Sequence, residues 1–289
     1  MKVHENKNLL ESVRDFWNKY KKNKGGVIGL YSLLIILLVA VVVPFLPIYD
    51  PNSIQFGSFM PPSLAHLFGT DELGRDVLSR VLWGTRTSLS VGFGAALVSS
   101  LAGIILGSIA GYFGGLFDEV ISRITEIFLM IPAFFLILLI ASIYGSSIYY
   151  VILVIGLTTW PSTARIIRAQ TLSLKEREFI YAQKVIGSSA SRVLFIHLIP
   201  NAIQPVIANS ILQVASAILL EAGLSFLGLG DPNLISWGKM IYNGSIYIFS
   251  SWWIAFFPGL AIVITVASLN MIGDALATVL NPRLEERGA

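Results

Sequence analysis

The chain has 289 residues, of which 55% are hydrophobic and only 13% charged, with a mean hydropathy of +0.74. Soluble domains carry about 25% charged residues, so a share this low points to an integral membrane protein. Cysteine is absent, which excludes a disulfide frame, a thiol nucleophile and a Cys-based metal site.

Residues 1–26 form a basic segment, with Lys2, Lys7, Arg14, Lys19, Lys21, Lys22 and Lys24 against Glu5, Glu11 and Asp15. Val13, Phe16, Trp17 and Tyr20 suit an amphipathic helix lying on a membrane. A partly disordered tail is the other reading of the same stretch. Val27 to Leu46 then runs without a charge for 20 residues, the length of a spanning helix. It is too long for the apolar core of a signal peptide, and no small-residue cleavage site follows. The expectation is an uncleaved first span over 27–46 with the N-terminus in the cytoplasm.

Residues 47–87 form a polar, extracytoplasmic segment containing prolines 47, 51, 61 and 62. Two clusters stand out in it: Gly69-Thr70-Asp71 with Gly74-Arg75-Asp76, and Gly84-Thr85-Arg86. Thr70 or Asp71 offers the cap of a helix carrying Val77, Leu78, Val81 and Leu82. A second span runs from about Ser88 to Phe113. Within it Gly103, Gly107 and Gly111 recur every four residues, so one helix face admits a close neighbour. Packing inside one bundle and a seam between two chains both fit that row. Asp118, Glu119, Arg123 and Glu126 mark a short cytoplasmic turn. Ile127 to Ala164 is uncharged and too long for one helix. The polar cluster Tyr144-Gly145-Ser146-Ser147 divides it into spans over 127–143 and 148–167, kinked at Pro132 and Pro161. Arg165 and Arg168 anchor the second at the cytoplasmic face.

Residues 169–200 form the longest polar insert on the basic side. Phe179, Ala182 and Val185 recur at helical spacing. Gly187 suits the left-handed residue after that helix, with φ > 0. Ser188 or Ser189 caps a second helix, which Pro200 ends. This helix–Gly–helix elbow has a shape suited to docking into another protein. A fifth span covers about 202–220, with Glu221 just past its far end. Asp231 to Ser251 is again polar and outer, Trp252 and Trp253 read as an interfacial aromatic belt, and a sixth span runs to about Met271. The five-helix core therefore covers 88–282, with a cytoplasmic tail at 283–289. Of the 20 Lys and Arg residues, the inner segments hold 16 and the outer ones four, namely Arg75, Arg80, Arg86 and Lys239. That asymmetry puts both termini and the elbow in the cytoplasm.

No Gly-x-x-x-x-Gly-Lys-Ser/Thr loop occurs, so an ATP site on this chain is not expected. His4, His66 and His197 are far apart in sequence, and no metal site is expected from them. No catalytic residue set is legible. The lysines flank a span and suit anionic lipid headgroups rather than nucleic acid. A secondary transporter would show inverted repeats and charged or broken mid-membrane helices, and neither is evident.

The elbow resembles the "EAA" loop of ABC importer permeases. Its triplet is Tyr181-Ala182-Gln183, with Gly187 in place and His197-Leu198-Ile199-Pro200 at the end; Ala182, Gly187 and Pro200 match, and Tyr181 departs from the family's Glu. The Gly-Thr-Asp-x-x-Gly-Arg-Asp and Gly-Thr-Arg-x-Ser-Leu motifs, with Glu221-Ala222-Gly223-Leu224-Ser225-Phe226-Leu227-Gly228, are similar to the C-type permeases of dipeptide, oligopeptide and nickel importers. The resemblance covers most of 26–282. It implies an all-α, six-span, type I ABC importer permease fold and a peptide cargo, with nickel complexes or oligosaccharides as alternatives. It implies a homologous B-type permease, two ABC ATPase subunits that carry ATP and Mg²⁺, and an extracytoplasmic substrate-binding protein as partners. On this reading Phe179, Ile180, Tyr181, Ala182, Gln183 and Val185 form the ATPase-docking face, Gly187 the bend, and His197 to Pro200 the end of the coupling loop.

Overall fold

The computed structural model describes residues 9–144 and 147–280. Residues 1–8, Gly145, Ser146 and the tail from 281, with Arg283 and Arg287, lie outside the described residues. What is described is nearly all helical, and no strand occurs among those residues. A short helix α1 (Leu9–Tyr20) precedes α2 (Lys24–Val42), which a 3₁₀ turn over Val43–Phe45 prolongs. Then follow α3 (Val77–Phe113), α4 (Gly115–Met130), α5 (Ala133–Tyr144), α6 (Ile148–Leu174), α7 (Glu178–Val185), α8 (Ala190–Arg192), α9 (Ile199–Ala202), α10 (Gln204–Phe226), α11 (Trp237–Ser245) and α12 (Trp253–Leu280). Of these, α2, α3, α6, α10 and α12 are long and apolar enough to cross a bilayer, while α4 and α5 meet at 89° and reach that length and apolarity only as a bent pair, a sixth crossing if the pair is counted as one span.

Several boundaries differ from expectation, each for a local reason. The charges from Asp118 to Glu126 lie on α4, a 16-residue helix rather than a turn. The 127–143 span is not one helix. Pro132 lacks an N–H and forces the residue before it out of the helical region, so Ile131 sits at φ −90°, ψ 126° and the chain breaks there. Pro161 and Pro258, in contrast, stay inside α6 and α12. α3 is capped by Asp76, not by Thr70 or Asp71: its Oδ1 accepts the Ser79 N–H at 2.8 Å. The helix then runs unbroken through Gly84–Ser88 for 37 residues. α10 likewise continues past Leu220, so Glu221 lies within the helix and is buried.

Close backbone approach holds the bundle together. A Cβ on Gly103 would stand 2.5 Å from the Thr163 Cβ, and one on Gly111 2.8 Å from the Thr171 Cβ. The glycine row of α3 is therefore spent on α6 of the same chain. Leu33, Leu89, Val214, Ile218, Leu269 and Ile272 join α2, α3, α10 and α12 in one cluster. Val91, Ile137, Ile155 and Leu224 bring in α5 and α6. At the base of α2, Asn23 accepts the Gly26 N–H at 2.9 Å and the Tyr20 hydroxyl donates to the Gly26 carbonyl at 2.9 Å, which fixes α1 against the first span.

Candidate functional site

The elbow hangs from the end of α6. α7 closes in a Schellman turn: the Ser188 N–H donates to the Gln183 carbonyl at 3.0 Å and the Gly187 N–H to the Lys184 carbonyl at 3.0 Å. That pattern needs a left-handed residue, and Gly187 takes φ +80° with nothing within 4 Å of where a Cβ would stand. Ser189, not Ser188, caps the next segment, accepting the Arg192 N–H at 3.4 Å. Ser188 instead donates its hydroxyl to Gln183 Oε1 at 3.1 Å.

Two expected roles are corrected here. Ile180 was expected on the docking face, yet it is 0% exposed and packs with Ile167, Val193, Leu194, Leu198 and Val206. It ties α7 to α6 and α10. Pro200 does not end the second helix, since α9 carries it in its first turn and runs on to Ala202. A π-helical stretch over Val193–Leu198 widens the preceding turn, and Pro200 then falls where a helix needs no N–H. Asn201 Nδ2 donates to the His197 carbonyl at 2.6 Å. Phe179, Tyr181, Ala182 and Val185 are exposed and Gln183 is half-buried. Val185 and its neighbour Ile186 stand 86% and 72% exposed at the tip, an apolar pair turned outward. The Tyr181 hydroxyl donates to Glu176 at 2.6 Å, and that bond raises its pKa above the usual phenol value. Lys184 Nζ lies 5.3 Å from the Tyr181 ring and 6.0 Å from that of Tyr112 on α3. Arg168 of α6 grips Asp118 of α4 with two hydrogen bonds, at 2.5 and 2.6 Å.

At the opposite end of the bundle, the 69–76 motif folds into a knot. Thr70 is fully buried; its hydroxyl donates to the Gly57 carbonyl at 2.7 Å and accepts the Met60 N–H at 2.8 Å. Asp71 Oδ1 accepts the N–H groups of Leu73 and Arg75 at 3.0 and 2.9 Å, and Oδ2 accepts Arg75 Nε at 2.7 Å. Buried Arg80 stands 3.5 Å from the same oxygen and donates to the Pro51 carbonyl at 2.9 Å. Asp76, besides capping α3, pairs with His66 Nδ1 at 2.9 Å. Gly69 (φ +73°) and Gly74 (φ +76°) make the turns. From far along the chain, Trp253 Nε1 donates to the Thr70 carbonyl at 3.0 Å and Trp237 Nε1 to the Val81 carbonyl at 3.0 Å. Trp253 is therefore a buried clamp, not a belt residue; Trp252 beside it is exposed. Gly84 leaves room for the Trp237 ring, Thr85 bonds back to the Val81 carbonyl at 3.1 Å, and exposed Arg86 lies over Trp83 at 5.4 Å.

Between the two ends runs a polar seam. Gln213 Nε2 donates to Ser162 at 2.7 Å and Thr163 at 2.8 Å, Asn209 Nδ2 to Thr163 at 3.2 Å, and Ser100 and Ser210 bond at 2.7 Å. The four-residue spacing of Asn209 and Gln213 was the one signal for it. Glu221 accepts the Ser225 hydroxyl at 2.6 Å, while its Oε2 has no partner among the described residues. No group of three His, Asp or Glu that could hold a metal is found among the described residues.

Five to six apolar helices, with an exposed elbow at one end and a knotted motif at the other, make this a multi-span helical membrane protein. Residues 103–286 match the family described as binding-protein-dependent transport system inner membrane component, and residues 13–62 match the N-terminal TM domain of oligopeptide transport permease C. The chain belongs to the binding-protein-dependent transport system inner membrane component family. Among particular relatives, the dipeptide transport system permease protein DppC of Bacillus subtilis (strain 168) is 40% identical over 95% of this chain and 87% of the relative. The oligopeptide transport system permease protein OppC of the same organism is 36% identical over 97% of this chain and 92% of its own length. A chain of the inward facing MetNI methionine ABC transporter shares the fold, with TM-score 0.56 and 17% identity over 71% of this chain and 96% of that one.

Proposed function

We propose that this chain is the C-type permease subunit of an ATP-driven importer of short peptides. It pairs with a homologous B-type permease to form the translocation path. Two ATPase subunits, which bind ATP and Mg²⁺, dock beneath the elbow, and a substrate-binding protein docks at the knotted end. The observation that carries this reading is the exposed Val185–Ile186 tip, held at a set angle by the Gly187 turn and rooted in the bundle by Ile180. A push on that tip reaches α6 and α10 through the Ile180 cluster, and the polar seam joins those two helices further up. The relatives' names support peptide cargo. The excess of Lys and Arg on the elbow side supports a cytoplasmic elbow and cytoplasmic termini.

The test is reconstitution with the partner permease, the ATPases and the binding protein in proteoliposomes. ATP-dependent dipeptide uptake is expected. Uptake without ATP, or ATP turnover by this chain alone, overturns the reading. A cysteine introduced as Ser189→Cys should react only with a thiol reagent on the ATPase side.

A further inference from the structure

A cleft of about 740 Å³ opens at the knotted end, between the residues after α2, the start of α3, the start of α6 and the 233–235 loop. That volume lies within the range of small-molecule sites, roughly 300–1,000 Å³. Its lining carries two formal charges, one of each sign: Asp50 and Arg86. No ion pair joins them, and among the described residues neither has another charged partner. Arg86 lies over the Trp83 ring at 5.4 Å and makes no hydrogen bond to a described residue, so its donors are free to grip a carboxylate. Asp50 uses Oδ1 to accept the Asn52 N–H at 2.8 Å, and its other oxygen is free. Tyr49, Trp83 and Tyr149 supply aromatic wall.

A neutral lining with two separated, unmatched charges is the complement of a zwitterion. We infer that this cleft is a subsite for a short peptide with free termini, its carboxylate on Arg86 and its ammonium on Asp50. A water-sized void of about 10 Å³ shares Thr87, Ile148 and Leu234 with the cleft, and the void's wall holds Glu221, whose Oε2 is buried without a described partner.

For its biological use the subsite rests on the peptide-importer reading; its test does not. The test measures equilibrium binding of L-alanyl-L-alanine to the assembled transporter in phosphatidylcholine nanodiscs, without the binding protein. Saturable binding is expected, weakened roughly tenfold by N-acetylation or by C-amidation of the probe. Arg86→Gln should make the free acid and the amide bind alike, and Asp50→Asn should do the same for the free and acetylated amines. Both side chains face an open cleft, so both variants should keep the wild-type unfolding temperature. Wild-type discrimination in both variants overturns the subsite, as does equal binding of free and blocked peptides. Glycerophosphoethanolamine binding that depends on Arg86 and Asp50, with none for the dipeptide, gives the cleft to a lipid headgroup and also overturns it. ATP-driven uptake that persists alongside either result leaves the importer reading standing; loss of uptake in the wild type removes that reading alone.

Discussion

The knot and the elbow use the same backbone device for different ends. Gly69 and Gly187 have nearly the same φ, +73° and +80°. A Cβ on Gly69 would sit 2.6 Å from the Met60 carbonyl oxygen and 2.7 Å from Trp253 Nε1, whereas one on Gly187 would meet nothing within 4 Å. At the knot the left-handed residue lets separate segments pack onto one another. At the elbow it sets only the direction of a short helix in the open. Strain at the knot should therefore spread into the fold, and strain at the elbow should stay local and be felt in coupling.

The largest effect should come from Asp71→Ala. It strands buried Arg80 and leaves the Leu73 and Arg75 N–H groups without their acceptor. Breaking a buried pair by removing one partner costs about 3–5 kcal/mol. Thermal unfolding in detergent should show a large drop, with little chain in the membrane; wild-type stability would show that the knot is not structural. Gly69→Val comes next, at roughly 2–4 kcal/mol from the φ and the collision with backbone. It should also lower abundance.

Gly187→Val sharpens the contrast, because the same φ costs roughly 1–3 kcal/mol with no steric term. Abundance and unfolding temperature should stay near wild type, while ATPase co-purification and uptake fall. Asn, which tolerates the left-handed region, should restore much of both at this position. Loss of Gly187→Val from the membrane would mean that the elbow, like the knot, serves folding.

The smallest effect is expected at Tyr181, whose hydroxyl bond to Glu176 is exposed. Its raised pKa means that the bond persists below the ordinary phenol value, about 10, and is lost only as pH climbs past the raised one. ATPase co-purification should therefore not vary through this group between about pH 6 and 8, and Tyr181→Phe should match wild type across that window. A coupling defect in Tyr181→Phe would give this bond a role in docking that its exposure does not suggest.

Local chemistry carried most of what was legible beforehand. Composition set the membrane class, uncharged run length placed α2, and Gly187 announced a left-handed turn, because spans and Schellman turns are decided within a few residues. The Asp71, Arg75 and Asp76 cluster was visible as a motif, but its partners were not. Trp253 lies 183 residues from Thr70, and Trp237 lies 156 from Val81, distances over which no periodicity speaks. Ile180 looked like a docking residue because an eight-residue helix shows which side chains share a face but not which face turns inward. Pro132 and Pro161 read alike in sequence, yet one broke its helix and the other did not. A proline leaves a carbonyl unpaired and crowded, and only the helices packed around it decide whether the chain continues. The sequence by itself thus determined the membrane class, the first span and the turn at Gly187. The burial of Ile180, the clamp on the knot and the break at 131–132 were decided by tertiary packing, because each depends on partners that chain order does not place nearby.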